Sequence, residues 1–108
     1  MALFPCPYLN GEVELTDERE LHIAERHPDL LPAHRDRLVD ILADPDEVRR
    51  STRFANARLF VRQFATIRGG KHVVVVVVTD TAPSSRHWII TAYLARRLAE
   101  GEPEWKRN

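Results

Sequence analysis

The hydrophobic pattern of the chain is dominated by an unbroken run of six valines, residues 73–78. β-Branched side chains pack well in strands, and a run without polar alternation indicates a strand that is covered on both faces. Gly69 and Gly70 provide a turn before the run. The run is far shorter than the roughly 20 apolar residues that a membrane-spanning helix needs. It therefore predicts the central strand of a sheet.

Two helices are predicted before this strand. Thr16 is a suitable N-cap, and the acidic residues that follow it fall in the first turn, where the helix dipole favours negative charge. The first helix is predicted over residues 17–26, because Pro28 disfavours the helical conformation for the residue before it. The second helix is predicted over residues 32–44. Its apolar residues recur at helical spacing: Leu38, Ile41 and Leu42.

Alternation of polar and apolar residues predicts the other strands. Residues 8–15, with the hairpin signal Asn10-Gly11, predict a small edge hairpin or an extended arm. Residues 48–54 predict a short strand, and residues 58–67 predict a strand that forms an antiparallel hairpin with the valine strand. Residues 87–93 predict the last strand, with Trp88, Ile90 and Ala92 on one face and Ile89, Thr91 and Tyr93 on the other.

These segments predict one α+β domain over residues 1–108, with two N-terminal helices packed on a three- to four-stranded antiparallel sheet. Residues 94–99 predict a short C-terminal helix. Residues 1–12 are expected to form an arm and residues 101–108 a loose tail. The single cysteine, Cys6, cannot form an intramolecular disulfide, and no signal peptide or membrane anchor is recognisable, so we expect a cytoplasmic protein with no membrane partner.

The net charge is zero, but the charges are separated along the chain. Residues 1–47 contain 4 basic and 12 acidic side chains, whereas residues 48–97 contain 10 basic side chains and 1 acidic one. Such a separation can hold two parts of a fold together, or it can present a basic surface to a polyanion. The basic residues fall on the predicted strands, which favours a polyanionic ligand.

Five histidines raise the question of a metal site. His22 and His27 are five residues apart, which is not the helical spacing that directs two imidazoles at one ion, and an HExxH motif is absent. We therefore expect no metal and no cofactor. The other chemistry open to these histidines is proton transfer near neutral pH. The structural alternative is that His27 caps the end of the first helix and that His22 is a solvated surface residue.

A second group of candidates consists of cationic and hydroxyl side chains on the strands. Neighbouring strands bring residues on one face within reach of each other. Cations neutralise the charge that develops on phosphorus during phosphoryl chemistry, and hydroxyls donate hydrogen bonds to its oxygens. The alternatives are a surface arginine, a threonine that fills a strand, and a core tyrosine with a solvated hydroxyl. The residues concerned are Arg62, Lys71, Thr91 and Tyr93.

Five segments, taken together and in order, resemble a phage-associated branch of the BECR nucleases. That superfamily groups barnase, EndoU, colicin D-type and RelE-type ribonucleases. The resemblance covers about residues 13–95. The segments are LHIAERHPDL, ILADPDEV, RLFVRQF, KHVVVVVV and WIITAY.

The resemblance implies a metal-independent endoribonuclease that acts as a toxin or as a phage or mobile-element effector, with an antitoxin or immunity protein as a partner. By position, the HI and RHP motifs imply His22, Arg26 and His27. The strand motifs imply Arg62, Lys71, Thr91 and Tyr93. No glutamate on the predicted sheet corresponds to a barnase-like base, so histidine would carry the proton transfers.

The leading hypothesis is RNA cleavage by attack of a ribose 2′-hydroxyl on the adjacent phosphate, giving a 2′,3′-cyclic phosphate and a 5′-hydroxyl. Its catalytic residues are His22, His27, Thr91 and Tyr93. Its substrate-binding residues are Arg26, Arg62, Lys71 and Phe60, of which Phe60 would stack on a base. Two other hypotheses are a non-catalytic nucleic-acid- or protein-binding module on the same fold, and a structural domain in which acidic helices neutralise a basic sheet.

Overall fold

A computed structural model describes residues 1–82 and 84–107. The strands in these ranges form one mixed sheet in the order β1-β2-β6-β5-β4-β3-β7, in which only β2 and β6 pair in parallel. A 3₁₀ helix, Pro7–Leu9, follows β1. The elements are β1 (Ala2–Cys6), β2 (Gly11–Leu15), α1 (Asp17–Arg26), α2 (Arg35–Ala43), β3 (Glu47–Arg50), β4 (Ala57–Gln63), β5 (His72–Asp80), β6 (Arg86–Ala95) and β7 (Glu102–Lys106).

The predicted fold class was wrong about the sheet and about the closing helix. The sheet has seven strands and mixed pairing, because β1 and β7 occupy segments that were expected to be an arm and a loose tail. The C-terminal helix is replaced by strand: Leu94 and Ala95 continue β6 and pair with Val73 and His72. Long-range pairing with β5 overrides a helical preference that such a short segment cannot sustain alone.

The valine strand lies at the centre of the sheet, as predicted. It forms most of β5, the fourth of seven strands, and pairs antiparallel with β4 and β6. Val73, Val75 and Val77 pack in the main core beneath the helices. Val74 packs in a smaller cluster on the other face, which we call the open face of the sheet. The valine strand thus contributes side chains to both layers, one on each face of the sheet.

Both predicted helices are present. The Thr16 hydroxyl accepts a hydrogen bond of 3.2 Å from the Arg19 backbone N–H, which is the expected N-cap of α1. Three apolar residues of α2 are fully buried: Leu38, Ile41 and Leu42. In residues 1–82 and 84–107, no helix combines the length and the apolar character required to cross a bilayer.

Helix α1 runs along the edge of β6 that β2 leaves uncovered. β2 pairs with β6 only at Val13 and Glu14. Beyond that point, Nη1 of Arg19 donates a hydrogen bond of 3.4 Å to the Ile90 carbonyl of β6. The end of α1 is therefore carried toward the later residues of β6, where the candidate site lies.

A β-bulge in β6 changes which residues share a face. Val76 pairs with Thr91 and Val77 with Ile89, so Ile90 is the extra residue. The prediction that Ile89 and Thr91 share one face of β6 is therefore wrong. Ile89 is fully buried in the main core. Thr91 and Tyr93 lie opposite Val76 and Val74 on the open face.

The main core is closed on one side by contacts between the first and the last strands. Tyr8, just after β1, packs edge-to-face on Phe60 with ring centroids 5.8 Å apart. Its hydroxyl donates a hydrogen bond of 2.6 Å to a carboxylate oxygen of Glu104 in β7. β1 and β7 lie at the two ends of the strand order, so the sheet must curl for the two segments to meet.

Candidate functional site

The open face of the sheet contains a groove with a volume of about 450 Å³. Its floor is formed by apolar residues of β4 and β5, and its walls by β6 and by the loop over residues 51–56. Polar and charged side chains lie at its rim. The lining residues used below are Arg53, Phe54, Asn56, Thr91, Tyr93 and Glu100.

His27 lies beside Tyr93, which lines the groove. The centroids of their rings are 6.2 Å apart and the ring planes are tilted by 40°. His27 is the C-cap of α1, where its backbone N–H donates a hydrogen bond of 2.7 Å to the Ile23 carbonyl. Pro28 follows it, and a residue before proline avoids the helical conformation. The helix end therefore fixes the imidazole beside the phenol.

The Tyr93 hydroxyl keeps its proton at neutral pH. Burial raises the pKa of the phenol, and the charge of Glu100 raises it further, while Arg49 and Arg53 lower it. The net direction is upward. Tyr93 is therefore a hydrogen-bond donor that faces a rim of mixed charge.

The structure places His27 beside Tyr93, and it places Tyr93 and Thr91 on the same face of the sheet. Thr91 and Tyr93 are two residues apart on the open face and both line the groove. His22 is half-buried and Arg26 is exposed on α1. In the part of the chain that the structure describes, neither of these two side chains forms a hydrogen bond or an ion pair with another side chain.

Arg62 lies on the opposite face of the sheet from the groove. It pairs with Val73, whose side chain points into the main core. Its guanidinium donates a hydrogen bond of 3.1 Å to the Asp44 carbonyl and lies 3.6 Å from the Asp44 carboxylate. The expected single pocket of histidines, Arg62 and Thr91 is therefore not formed. Arg62 instead joins the end of α2 to β4, as the structural hypothesis proposes for a strand arginine.

Phe60 cannot stack on a nucleobase. Its side chain is 0% exposed and packs in the main core against Tyr8, so this prediction was wrong. Strand alternation placed Phe60 on the face of Arg62, but it could not show that this face is the covered one. The exposed aromatic residue of the groove is Phe54, which is 63% exposed.

Several residues in and around the groove had no place in the sequence prediction. Arg49 forms an ion pair of 2.6 Å with Glu47, a partner two positions away on the same strand face. The same guanidinium donates hydrogen bonds to the Glu100 and Gly101 carbonyls at 2.7 and 2.9 Å. These bonds fix the segment that carries Glu100 at the rim. The alternation of Glu47 and Arg49 was a usable signal, whereas nothing in the sequence places Glu100 or Arg53.

Lys71 lies outside the groove. It lines a second hollow with Arg68, Gly69, Gly70 and Arg96, and this hollow shares no lining residue with the groove. The residues predicted to act on one phosphodiester are thus distributed over four places: the groove, the second hollow, the covered face of the sheet and helix α1.

Comparison of the chain with protein-family profiles, curated proteins and solved structures finds no match. The chemistry of the site therefore follows from its own residues. Within the described ranges, no group of three or more His, Cys, Asp or Glu side chains is arranged to hold a metal ion. The groove lining offers two hydroxyl donors and a guanidinium, and His27 adds an imidazole beside Tyr93. Together these groups can move a proton and hold an anion.

Proposed function

We propose that this chain is a metal-independent endoribonuclease whose active site is the groove on the open face of the sheet. The observation that carries this proposal is the contact between His27 and Tyr93, with ring centroids 6.2 Å apart. Thr91 and Arg53 line the same groove. An acid–base group beside hydrogen-bond donors and a cation is the set required for transesterification of RNA. The resemblance to BECR nucleases supports the same reaction.

In the proposed reaction, His27 removes the proton from a ribose 2′-hydroxyl. The 2′-oxygen forms a bond to the adjacent phosphorus, and the bond from phosphorus to the 5′-oxygen breaks. The leaving 5′-oxygen takes its proton from solvent. The products are a 2′,3′-cyclic phosphate and a 5′-hydroxyl.

The remaining groove residues stabilise charge on the phosphate. Because burial raises its pKa, Tyr93 donates a hydrogen bond to a phosphate oxygen instead of ionising. Thr91 supplies a second hydroxyl donor, and Arg53 supplies the cation that Arg62 cannot supply from the other face. Phe54 takes the base-stacking role first assigned to Phe60, because its ring is exposed at the groove.

The test is incubation of the purified chain with mixed RNA in EDTA between about pH 5 and pH 9, the range in which histidine acid–base catalysis operates. We expect His27→Ala to lower the cleavage rate by about 10²- to 10⁴-fold, the usual contribution of a general base. Tyr93→Phe removes only the hydroxyl and should also slow cleavage.

Arg62→Gln is the matched control for these variants, because it changes a strand side chain on the face away from the groove. It should cleave like the unchanged protein. Analysis of the RNA ends should show 2′,3′-cyclic phosphate. Absence of product at every pH, or undiminished cleavage by a folded His27→Ala variant, would contradict the proposal.

One observation favours a second candidate, an RNA-binding module without catalysis on the same fold. Both arginines of β4 are held by acids: Arg62 by Asp44 at 3.6 Å, and Arg58 by Glu104 at 2.9 Å. Fewer cations then remain for a charged transition state. This candidate predicts RNA binding that weakens as salt screens the phosphates, with no cleavage product. Binding and cleavage measured on the same sample separate the two.

As a ribonuclease, the chain would act on RNA in the cytoplasm, as a toxin or as a phage effector. The groove is open to solvent, with Phe54 exposed at its edge. An antitoxin or immunity protein would inhibit the enzyme by covering this groove. In such a complex, we expect Phe54 to be protected from solvent.

A further inference from the structure

A hollow of about 380 Å³ at the turn between β4 and β5 is lined by cations and glycines alone. Arg68, Gly69, Gly70 and Lys71 come from the turn, and Arg96 directly follows β6. Among the residues that the structure describes, no acidic side chain lines it. Nothing in the proposed reaction uses this hollow, since the groove around Tyr93 is formed by other residues.

The turn that carries these cations is held in a defined conformation. Arg68, Gly69 and Gly70 have φ angles of 47°, 75° and 87°, so three consecutive residues adopt left-handed conformations. The N–H groups of Gly70 and Lys71 donate hydrogen bonds of 2.9 and 3.1 Å to the carbonyl of Ile67. Ile67 is buried in the main core, which anchors the turn.

The two glycines leave the hollow open. A Cβ atom added to Gly69 would have no heavy atom within 4 Å, and one added to Gly70 would meet only the Gln63 side-chain amide at 3.8 Å. That amide also donates a hydrogen bond of 2.6 Å to the Gly70 carbonyl. A small anion can therefore approach the backbone of the turn without a steric obstacle.

The three cations of the hollow, Arg68, Lys71 and Arg96, have no acidic partner among the residues that the structure describes, unlike most arginines of the chain. Like charges that line one hollow repel each other, and a bound anion offsets this repulsion. The arginines that do form ion pairs are Arg35, Arg37, Arg49, Arg50, Arg58, Arg62, Arg86 and Arg107.

We propose that Arg68, Lys71 and Arg96 bind a backbone phosphate of a single-stranded RNA at a point beyond the cleaved bond. This inference rests on the proposed function, because it assumes that the strand continues from the groove. Arg96 follows Tyr93 by three residues, a distance of about 10 Å along an extended chain. Lys71 precedes His72, which pairs with Ala95. The hollow therefore lies next to the end of β6 that follows the groove.

The experiment measures binding of a fluorescent single-stranded 2′-deoxy oligonucleotide, which cannot be cleaved through a 2′-hydroxyl, at a series of salt concentrations. The test variant is Arg68→Gln/Lys71→Gln/Arg96→Gln. The control is Arg37→Gln/Arg50→Gln/Arg86→Gln, which removes the same number of positive charges from other parts of the surface. Circular dichroism and urea unfolding confirm that both variants are folded.

We expect the slope of log K against log salt to become shallower by about 0.7 in the test variant, because neutralisation of one phosphate of a single strand contributes roughly 0.7. The control should keep a slope closer to that of the unchanged protein. Equal slopes in the two variants, or no binding by the unchanged protein at low salt, would overturn the proposal.

The oligonucleotide separates this inference from the proposed function. If RNA is not cleaved but the difference in slope is present, the ribonuclease proposal fails and the phosphate site stands. If RNA is cleaved and the slopes are equal, the phosphate site fails and the groove stands.

Discussion

Arg62 and Tyr93 lie on opposite faces of the same sheet. Their partners in β5 are Val73 and Val74, which are consecutive residues, and side chains alternate between faces along a strand. Any chemistry at the Tyr93 hydroxyl therefore proceeds without the Arg62 guanidinium. This relationship supplies the control residue for the proposed activity.

Arg62→Gln should change the free energy of unfolding by less than about 1 kcal/mol, as expected for a partly exposed ion pair. Its partner is the Asp44 carboxylate at 3.6 Å, and both side chains retain contact with solvent. Urea unfolding measures the stability, and RNA cleavage is assayed on the same sample. A folded Arg62→Gln variant without cleavage would place Arg62 in the active site and exclude the groove as its location.

Phe54→Ala should weaken binding of a single-stranded oligonucleotide, because stacking of one base on an aromatic ring contributes roughly 1–3 kcal/mol. Phe54→Tyr retains the ring and should bind like the unchanged protein. Neither change should lower stability much, since the side chain is largely exposed. Fluorescence anisotropy measures the affinity. Equal affinities for all three proteins would remove Phe54 from the RNA-binding surface.

Gly101→Ala should destabilise the fold by more than Gly69→Ala. Both glycines have φ +75°, so alanine introduces the same backbone strain of roughly 1–2 kcal/mol at each position. At Gly101 the added Cβ would also lie 2.6 Å from the Arg50 carbonyl oxygen, whereas at Gly69 it would meet nothing within 4 Å. The difference between the two unfolding free energies therefore measures the clash between the turn before β7 and β3. Equal losses of unfolding free energy in the two variants would mean that β7 moves away from the added methyl group without a measurable cost.

Glu104 should make the stability depend on acid pH. Burial raises the pKa of its carboxyl, but hydrogen bonds from Tyr8, Arg58 and Arg50 outweigh burial, and the net pKa is lowered from 4.5. A lowered pKa in the folded state stabilises the protein fully above the unfolded value, and this contribution is lost as the pH falls through the folded value. The unchanged protein should therefore be more stable than Glu104→Gln at neutral pH. This difference in unfolding free energy should shrink below about pH 4.5.

The control for this measurement is Glu102→Gln, an exposed carboxylate on the same strand. The difference in unfolding free energy between Glu102→Gln and the unchanged protein should depend little on pH. Unfolding by urea at several pH values from neutral to acid gives both comparisons. A constant difference between Glu104→Gln and the unchanged protein across that range would contradict the assigned pKa direction.

Tyr8 should add a dependence on alkaline pH with the opposite sign. Burial, the hydrogen bond to Glu104 and the charge of Glu104 raise the pKa of the phenol from 10.0 to about 12. A raised pKa stabilises the folded state fully below the unfolded value, and the contribution is lost as the pH rises to the folded value. The advantage of the unchanged protein over Tyr8→Phe should therefore narrow between about pH 10 and pH 12. Ultraviolet titration of the tyrosines, read beside urea unfolding, checks this. An unchanged gap across that range would show that the phenol titrates alike in both states.

The parts of the fold that local sequence determines were predictable. The valine run marked the central strand, and Thr16 marked the start of α1. β7 was not predictable, because its residues are mostly polar and include Pro103, and the strand exists only through pairing with β3. Contacts distant in sequence decide such an edge strand.

The site was predictable only in part, for a similar reason. Alternation correctly placed Arg62 on the same face of β4 as Phe60. Whether that face is also the face of Thr91 depends on the register across two strand pairs and on the bulge at Ile90, and neither is encoded in a local pattern. The position of His27 beside Tyr93 depends on how α1 docks on β6, which again is tertiary information.

The contact of Tyr8 with β7 couples the two ends of the chain in their resistance to proteolysis. The Tyr8 ring lies 6.0 Å from the Trp105 ring and 5.8 Å from the Phe60 ring, between centroids. A protease that detaches β7 removes Trp105, one neighbour of this phenol, and one that cleaves after Leu9 removes the phenol itself. Either cut thus breaks the same aromatic cluster, and we expect either to loosen the packing on Phe60.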